Sequence, residues 1–133
     1  MAALARSHGN APGKPIWLEE FGASKIEMPE TDIPRWMELA ITGGVAQGIS
    51  YFTWWASHDI DEQRHKFGRF EYSLGLLTTD NRIKEQGRMF KRLADAYRGK
   101  PVVIPDQPLP PPPAQRTDEA AWQWMLAWMN WKE

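Results

Sequence analysis

The 133-residue chain contains no cysteine, which removes disulfides, thiolate metal sites and cysteine nucleophiles from consideration. It also lacks a charge of one dominant sign: 16 Lys+Arg stand against 17 Asp+Glu, for a formal net charge of −1. The basic residues are scattered and draw no stripe along which a phosphate backbone would lie, so no nucleic-acid partner is expected. No apolar run approaches the roughly 20 residues that cross a bilayer, and no membrane partner is expected either. Residues 1–13 lack the apolar central stretch of a secretory signal. No internal repeat is evident.

What the chain has is a core-forming composition, 42% hydrophobic, with eight Trp. Trp offers large flat apolar faces that either fill cores or stack on ligands. Residues 3–8 read as the end of a helix closed by Gly9-Asn10, with a turn at Pro12-Gly13 and His8 exposed beside it. Residues 16–20 read as a short strand whose apolar run implies burial on both faces. Asp32 is a plausible N-cap with Pro34 in the first turn, and Trp36, Leu39, Ala40 and Ile41 mark a helix ending at Gly43-Gly44. Residues 48–55, "GISYFTWW", are rich in β-branched and aromatic residues and predict a second strand. The spacing from strand to strand is that of a βαβ unit, hence parallel strands and a right-handed crossover. After a long polar loop, Phe90, Leu93, Ala94 and Tyr97 predict a helix over about 84–98.

Three regions follow: an α/β region over 1–99, a Pro-rich linker or strap over 100–117, and a Trp-rich C-terminal helix over 118–133. The "PLPPPP" cluster cannot pair its backbone and should run extended. The terminal helix carries a cap signal at Thr117 or Asp118. Trp124, Trp128 and Trp131 share one face, and Trp122, Leu126 and Met129 the next. With almost no basic residues on its polar face, it is expected to dock its aromatic face on the body or on a partner chain, not on a membrane.

Parallel α/β sheets carry their functional loops at the carboxyl ends of their strands. The first strand ends in Glu19-Glu20 and the second in Trp54-Trp55-Ala56-Ser57-His58-Asp59. Alternation puts Glu19 and Glu20 on opposite faces, so one acts and the other is structural; it separates Trp54 from Trp55 in the same way. A carboxylate beside a Trp suits sugar chemistry, with an anion to meet an oxocarbenium-like centre and a ring to stack on the sugar's C–H face. Trp17 and Trp36 read as packing residues within the strand and helix layers. His58, Asp59, Asp61 and His65 are of metal-ligand type, but their spacing matches no metal motif and polar rim contacts are the favoured reading.

"KPIWLEEFGAS" resembles the end of the seventh strand of clan A glycoside hydrolases, family five in particular, where a K-P-hydrophobic-E-x-G pattern carries the nucleophile. "GISYFTWWASHDID" resembles their eighth strand, and "YSLGLLTTDNRIKEQGRMFKRLADAY" the run into their last barrel helix. The resemblance covers residues 14–98 and is nearest in wording to mannan- and mannoside-acting members. It implies a fold, the C-terminal portion of a (β/α)8 TIM barrel with strands seven and eight and their helices. It also implies a function, retaining β-glycoside hydrolysis of β-mannosidic or related β-linked sugars. Glu20 takes the nucleophile's place. Trp54 is backed over Trp55 as the sugar platform, with His58 and Asp59 contacting hydroxyls. No cofactor and no catalytic metal are implied.

The family's acid/base Glu sits in an Asn-Glu pair on a fourth strand, and no such pair occurs here. Glu71, Asp59 or Asp61 are weak local substitutes and read better as rim residues. The chain alone is therefore expected to be catalytically silent. The alternative is a non-catalytic carbohydrate-binding or assembly module whose open sheet edges need a partner, either the missing N-terminal barrel portion or another copy.

Overall fold

A computed structural model describes Ala3, Leu4, Ser7 and residues 15–106 and 109–131. The turns expected at Gly9-Asn10 and Pro12-Gly13, and His8, lie outside the described residues. Along the chain come β1 (Ile16–Phe21), α1 (Ile33–Ala46), β2 (Ile49–Trp54), a 3-10 helix (Arg69–Ser73), α2 (Glu85–Tyr97) and α3 (Asp118–Trp131). β1 and β2 pair in parallel as a two-stranded sheet with α1 as the connection, the βαβ unit that the spacing predicts.

α1 forms because Ile33, Met37, Ile41 and Gly44 recur at helical intervals and are buried as one stripe. Pro34 fits its first turn, where a missing N–H costs nothing. Asp32 stands at the N-cap position without a side-chain capping bond. The helix runs through Gly43-Gly44, which sequence reading takes for its stop. Gly44 is instead a packing glycine, since a Cβ there would come within 2.7 Å of the Phe52 ring. The chain turns only at Gly48, whose φ of 84° is open to glycine and strained for other residues.

The main core lies between the sheet and the helices. Ala23, Ile33, Met37, Ile41, Trp54 and Leu93 are buried together, with Phe21, Trp36, Phe52 and Phe90 packed against them. Phe21 meets Trp54 edge-on at 5.2 Å and 82°, and Trp36 meets Trp54 at 6.1 Å and 69°, the edge-to-face geometry that ring quadrupoles favour.

The sheet has one covered face. Burial of β1 on both faces, expected from its apolar run, does not occur: Trp17 and Tyr51 are each 58% exposed on the side away from the helices. Trp17 is thus not a packing residue, and its indole N–H donates to Thr53 Oγ1 at 2.9 Å across the open face. The sheet has two strands among the described residues, and none of those residues closes a barrel interior over these side chains.

A second small core lies under the C-terminal helix. Trp124, with Ala3 and Leu4, is buried against Leu109, Ala121, Met125 and Trp128, and the Trp124 and Trp128 rings stack at 6.3 Å and 11°. The Trp124 indole N–H donates to the Pro111 carbonyl at 2.8 Å, using an acceptor that no sheet ladder claims in the Pro-rich strap. Thr117 Oγ1 accepts from the Ala120 N–H at 3.2 Å and caps the helix. Trp122 and Met129, on the neighbouring face, stay exposed.

Candidate active site

The two strand ends are joined by main-chain bonds. The Trp55 N–H donates to the Phe21 carbonyl at 2.9 Å, which sets Trp55 beside the end of β1. Gly22 makes that approach possible, because a Cβ at this position would lie 2.5 Å from the Trp55 carbonyl oxygen. The glycine of the E-F-G string is therefore a contact between two loop backbones.

Register decides where the two acids go. Leu18 pairs with Phe52 and Phe21 with Trp54, so Glu19 and Glu20 together face the single residue Thr53. This is a β-bulge, with one extra residue on β1. Leu18 and Phe21, an odd step apart, are paired with Phe52 and Trp54, which both belong to the core on the helix side, and strict alternation no longer separates Glu19 from Glu20. Both are exposed, and among the described residues neither carboxylate has an ion-pair partner or hydrogen-bond donor.

Trp54 and Trp55 are separated as alternation predicts, in the order opposite to the one backed. Trp54 is 5% exposed in the aromatic core, and its Nε1–H donates to the Leu74 carbonyl at 2.7 Å. A ring so enclosed presents no face to a ligand. Trp55 is 45% exposed, with its indole N–H on Glu71 Oε2 at 3.1 Å.

Beyond Trp55 the loop runs alongside residues 74–77. Ala56 N–H reaches the Leu74 carbonyl, Leu76 N–H the Ala56 carbonyl, Leu77 N–H the Ser57 carbonyl and Asp59 N–H the Leu77 carbonyl, at 2.8 to 3.3 Å. His58 is exposed, its Nδ1 3.1 Å from Ser57 Oγ and its Nε2 2.9 Å from Asn81 Oδ1. Asp59 is held in an ion pair. Both of its oxygens lie 3.0 Å from Lys84 Nζ, and Oδ1 also accepts the Gly75 N–H at 2.8 Å. Lys84, only 7% exposed at its side chain, also bonds Glu30 at 3.1 Å and the Ser73 carbonyl at 3.2 Å. Asp59 thus clamps the loop to the start of α2. Asp61 accepts the Gln63 N–H at 2.9 Å and pairs with Arg64 at 3.2 Å, holding a turn.

These residues border a polar cleft of about 490 Å³ lined by Ser57, His58, Asp61, Arg64, His65 and Thr79 among others. Among the described residues no group of His, Asp and Glu is placed to hold a metal ion. Lys84 and the Ser24–Ser73 pair, hydroxyl to hydroxyl at 2.8 Å, support the site without having been read as functional. A lone Lys before a helix and two serines 49 residues apart carry no sequence signal of meeting.

No profile of a known protein family matches the chain, and none of the curated proteins matches. Solved structures do. The GH5_18 protein of Bifidobacterium longum subsp. infantis is 32% identical at a TM-score of 0.67 over 76% of this chain and 26% of its own. The GH5_18 protein of Streptomyces cattleya in complex with GlcNAc is 30% identical at 0.68, over 78% and 26%. A variant of the Streptomyces cattleya GH5_18 protein in complex with Manβ1-4GlcNAc is 26% identical at 0.65, over 97% and 34%. The chain spans about a quarter to a third of the length of these proteins.

Proposed function

We propose that the chain is a portion of a clan A, family 5 glycoside hydrolase barrel like the GH5_18 structures it resembles, and that the ends of β1 and β2 form half of a retaining β-glycosidase site. The substrate class is a β-mannoside of the Manβ1-4GlcNAc kind, the disaccharide bound by a structural neighbour. β1 and β2 would be the seventh and eighth strands. Glu20, two residues before Gly22, attacks the anomeric carbon and forms a glycosyl-enzyme. An acid/base carboxyl roughly 5 Å away protonates the departing oxygen and then activates water. That second carboxyl belongs to another strand of the barrel. Trp55 supplies the ring on which the sugar stacks, and His58 reaches hydroxyls from the rim of the cleft.

The observation that carries this reading is the bulge at Glu19-Glu20 beside an exposed Trp55. It brings carboxylates and an open indole face to one end of the sheet. The uncovered face with Trp17 and Tyr51 fits the same reading, because in a closed barrel it would face inward against the remaining strands.

The test is a chimera in which residues 15–106 replace the matching portion of the Streptomyces cattleya protein. It should hydrolyse an aryl β-mannoside, and Glu20→Gln should lower kcat by roughly a thousandfold or more, with Glu19→Gln doing far less. A folded but inactive chimera, or loss of activity with Glu19→Gln alone, would refute the assignment. The 133-residue chain by itself should release no sugar.

A further inference from the structure

We propose that Glu71 is the positioning residue that fixes the orientation of the Trp55 indole for sugar stacking; this rests on the reading of Trp55 as the platform. Glu71 is acidic and sits in the loop after β2. The catalytic assignment above leaves it no chemical task.

The backbone on either side of the Trp55 ring is secured independently of Glu71. Trp55 N–H is held by the Phe21 carbonyl and Ala56 N–H by the Leu74 carbonyl, so the main chain stays in place whatever the ring does. The side chain itself is 45% exposed. An exposed indole on a fixed backbone still has several χ1 and χ2 wells, and packing on one side does not choose among them. The hydrogen bond that chooses is Nε1–H to Glu71 Oε2 at 3.1 Å. It grips the pyrrole edge and itself covers neither ring face, which is compatible with stacking a sugar's C–H face.

Glu71 can set a direction only because it is firmly mounted. It lies in the 3-10 helix Arg69–Ser73, and the two residues that follow it are fastened. Tyr72 Oη donates to the His65 or Phe67 carbonyl and accepts the Phe67 N–H, at 2.9 to 3.1 Å. Ser73 is buried, its Oγ 2.8 Å from Ser24 Oγ and accepting the Lys25 N–H at 3.2 Å. The next residue, Leu74, takes both the Trp54 indole N–H and the Ala56 N–H on its carbonyl. The support of Glu71 is therefore tied to the loop after β1 and to the loop after β2. Ring orientation is thereby referred to the same two strand ends that carry Glu20 and Trp55. Among the described residues the Trp55 indole is the one side-chain donor to the Glu71 carboxylate, so the acid is not occupied by an ion pair.

This role predicts a separation of effects. Removing the acceptor frees the ring but leaves the fold, because a half-buried side chain outside the hydrophobic core contributes little to stability. It lowers sugar affinity, because the ring must then be ordered on binding. The test uses the 133-residue chain labelled with nitrogen-15, with the Trp55 indole resonance identified by its loss in Trp55→Phe, and Manβ1-4GlcNAc as the probe. In the wild type the sugar should shift that resonance. Glu71→Ala should move it in the free protein and weaken the sugar affinity by roughly three- to tenfold, the scale of one modest hydrogen bond. Glu71→Gln, which keeps an acceptor oxygen, should restore most of both, and all three proteins should melt within about two degrees of one another.

A Trp55 resonance that responds to sugar but is indifferent to Glu71→Ala overturns the positioning role alone. A wild-type Trp55 that no concentration of the disaccharide perturbs overturns the platform reading on which the role rests. Loss of the folded spectrum in Glu71→Ala overturns it as well, since the residue would then be structural.

Discussion

The Asp59–Lys84 pair offers the most direct measure of what holds the site's loop in place. Lys84 Nζ lies 3.0 Å from both Asp59 oxygens, with side-chain exposures of 7% and 16%. Truncating one partner of a buried ion pair costs about 3–5 kcal/mol, because the other charge is left desolvated. After Asp59→Leu, Lys84 keeps the half-exposed Glu30 carboxylate and the Ser73 carbonyl, which brings the cost to the low end, about 2–3 kcal/mol. After Lys84→Met, Asp59 retains only the Gly75 N–H, and about 3 kcal/mol is lost. Replacing both removes the two charges together and orphans only the Gly75 N–H and the Ser73 carbonyl, for about 1–2 kcal/mol. The single losses add to about 5–6 kcal/mol, so the double-mutant cycle should return a coupling of about 4 kcal/mol. Urea unfolding followed by Trp fluorescence reads all four corners. A buried pair should also resist screening, so the coupling should persist in molar salt. If Asp59→Leu costs under about 1 kcal/mol, or the two changes add within about 0.5 kcal/mol, the pair does not clamp this loop and the burial argument is wrong.

Other outcomes follow from the same geometry. Trp54→Ala should cost about 3–5 kcal/mol as a large core truncation, whereas Trp55→Ala should cost under about 1 kcal/mol; chemical denaturation of the two variants compares a core Trp with an exposed one. Gly22→Ala should destabilise by about 1–3 kcal/mol, since the new methyl meets a backbone carbonyl that cannot rotate away, and its melting midpoint checks this. The Asp80 carboxyl is held below the usual carboxylate range by its hydrogen bond from Thr78 and then by Arg82. A depressed folded pKa gives a contribution that is present above the ordinary carboxylate pKa and is lost as pH falls through the folded value. Carbon-detected titration of Asp80 should therefore place its midpoint below the ordinary carboxylate range, and Arg82→Ala should raise it. Trp124→Ala should release α3 from the strap, seen as loss of amide protection over residues 118–131 with β1 and β2 unchanged.

Much of the architecture was legible from local composition and helical spacing. Both strands, α1 and α2 fall within a few residues of their expected bounds, the strands from their apolar, β-branched and aromatic runs and the helices from apolar spacing near 3.6 residues. The misreadings come from contacts between elements. Gly43-Gly44 looks like a helix stop, yet Gly44 is small to admit the Phe52 ring. Trp17 has the composition of a packed strand residue, yet it stands on a face that two strands leave uncovered. Asp59 looks like a site acid until Lys84, 25 residues on, takes both its oxygens.

The pair Glu19-Glu20 shows the limit most sharply. Alternation, applied to the sequence, turns one of the two away from the site. The register inserts one extra residue between Leu18 and Phe21 against β2, and the parity on which alternation rests is broken there. A bulge depends on what the partner strand offers, and β1's own letters do not record it. Gly22, whose contact with the Trp55 carbonyl fixes how the chain leaves β1, lies two residues past Glu20 and three past Glu19. A Glu two residues before that contact has its backbone held next to the β2 loop, and a Glu one residue earlier is a step further from it. The choice of Glu20 over Glu19 rests on the resemblance of the E-x-G spacing to the family's nucleophile pattern, and under the proposed function the Gly22→Ala variant of the chimera should lose activity even where it still folds.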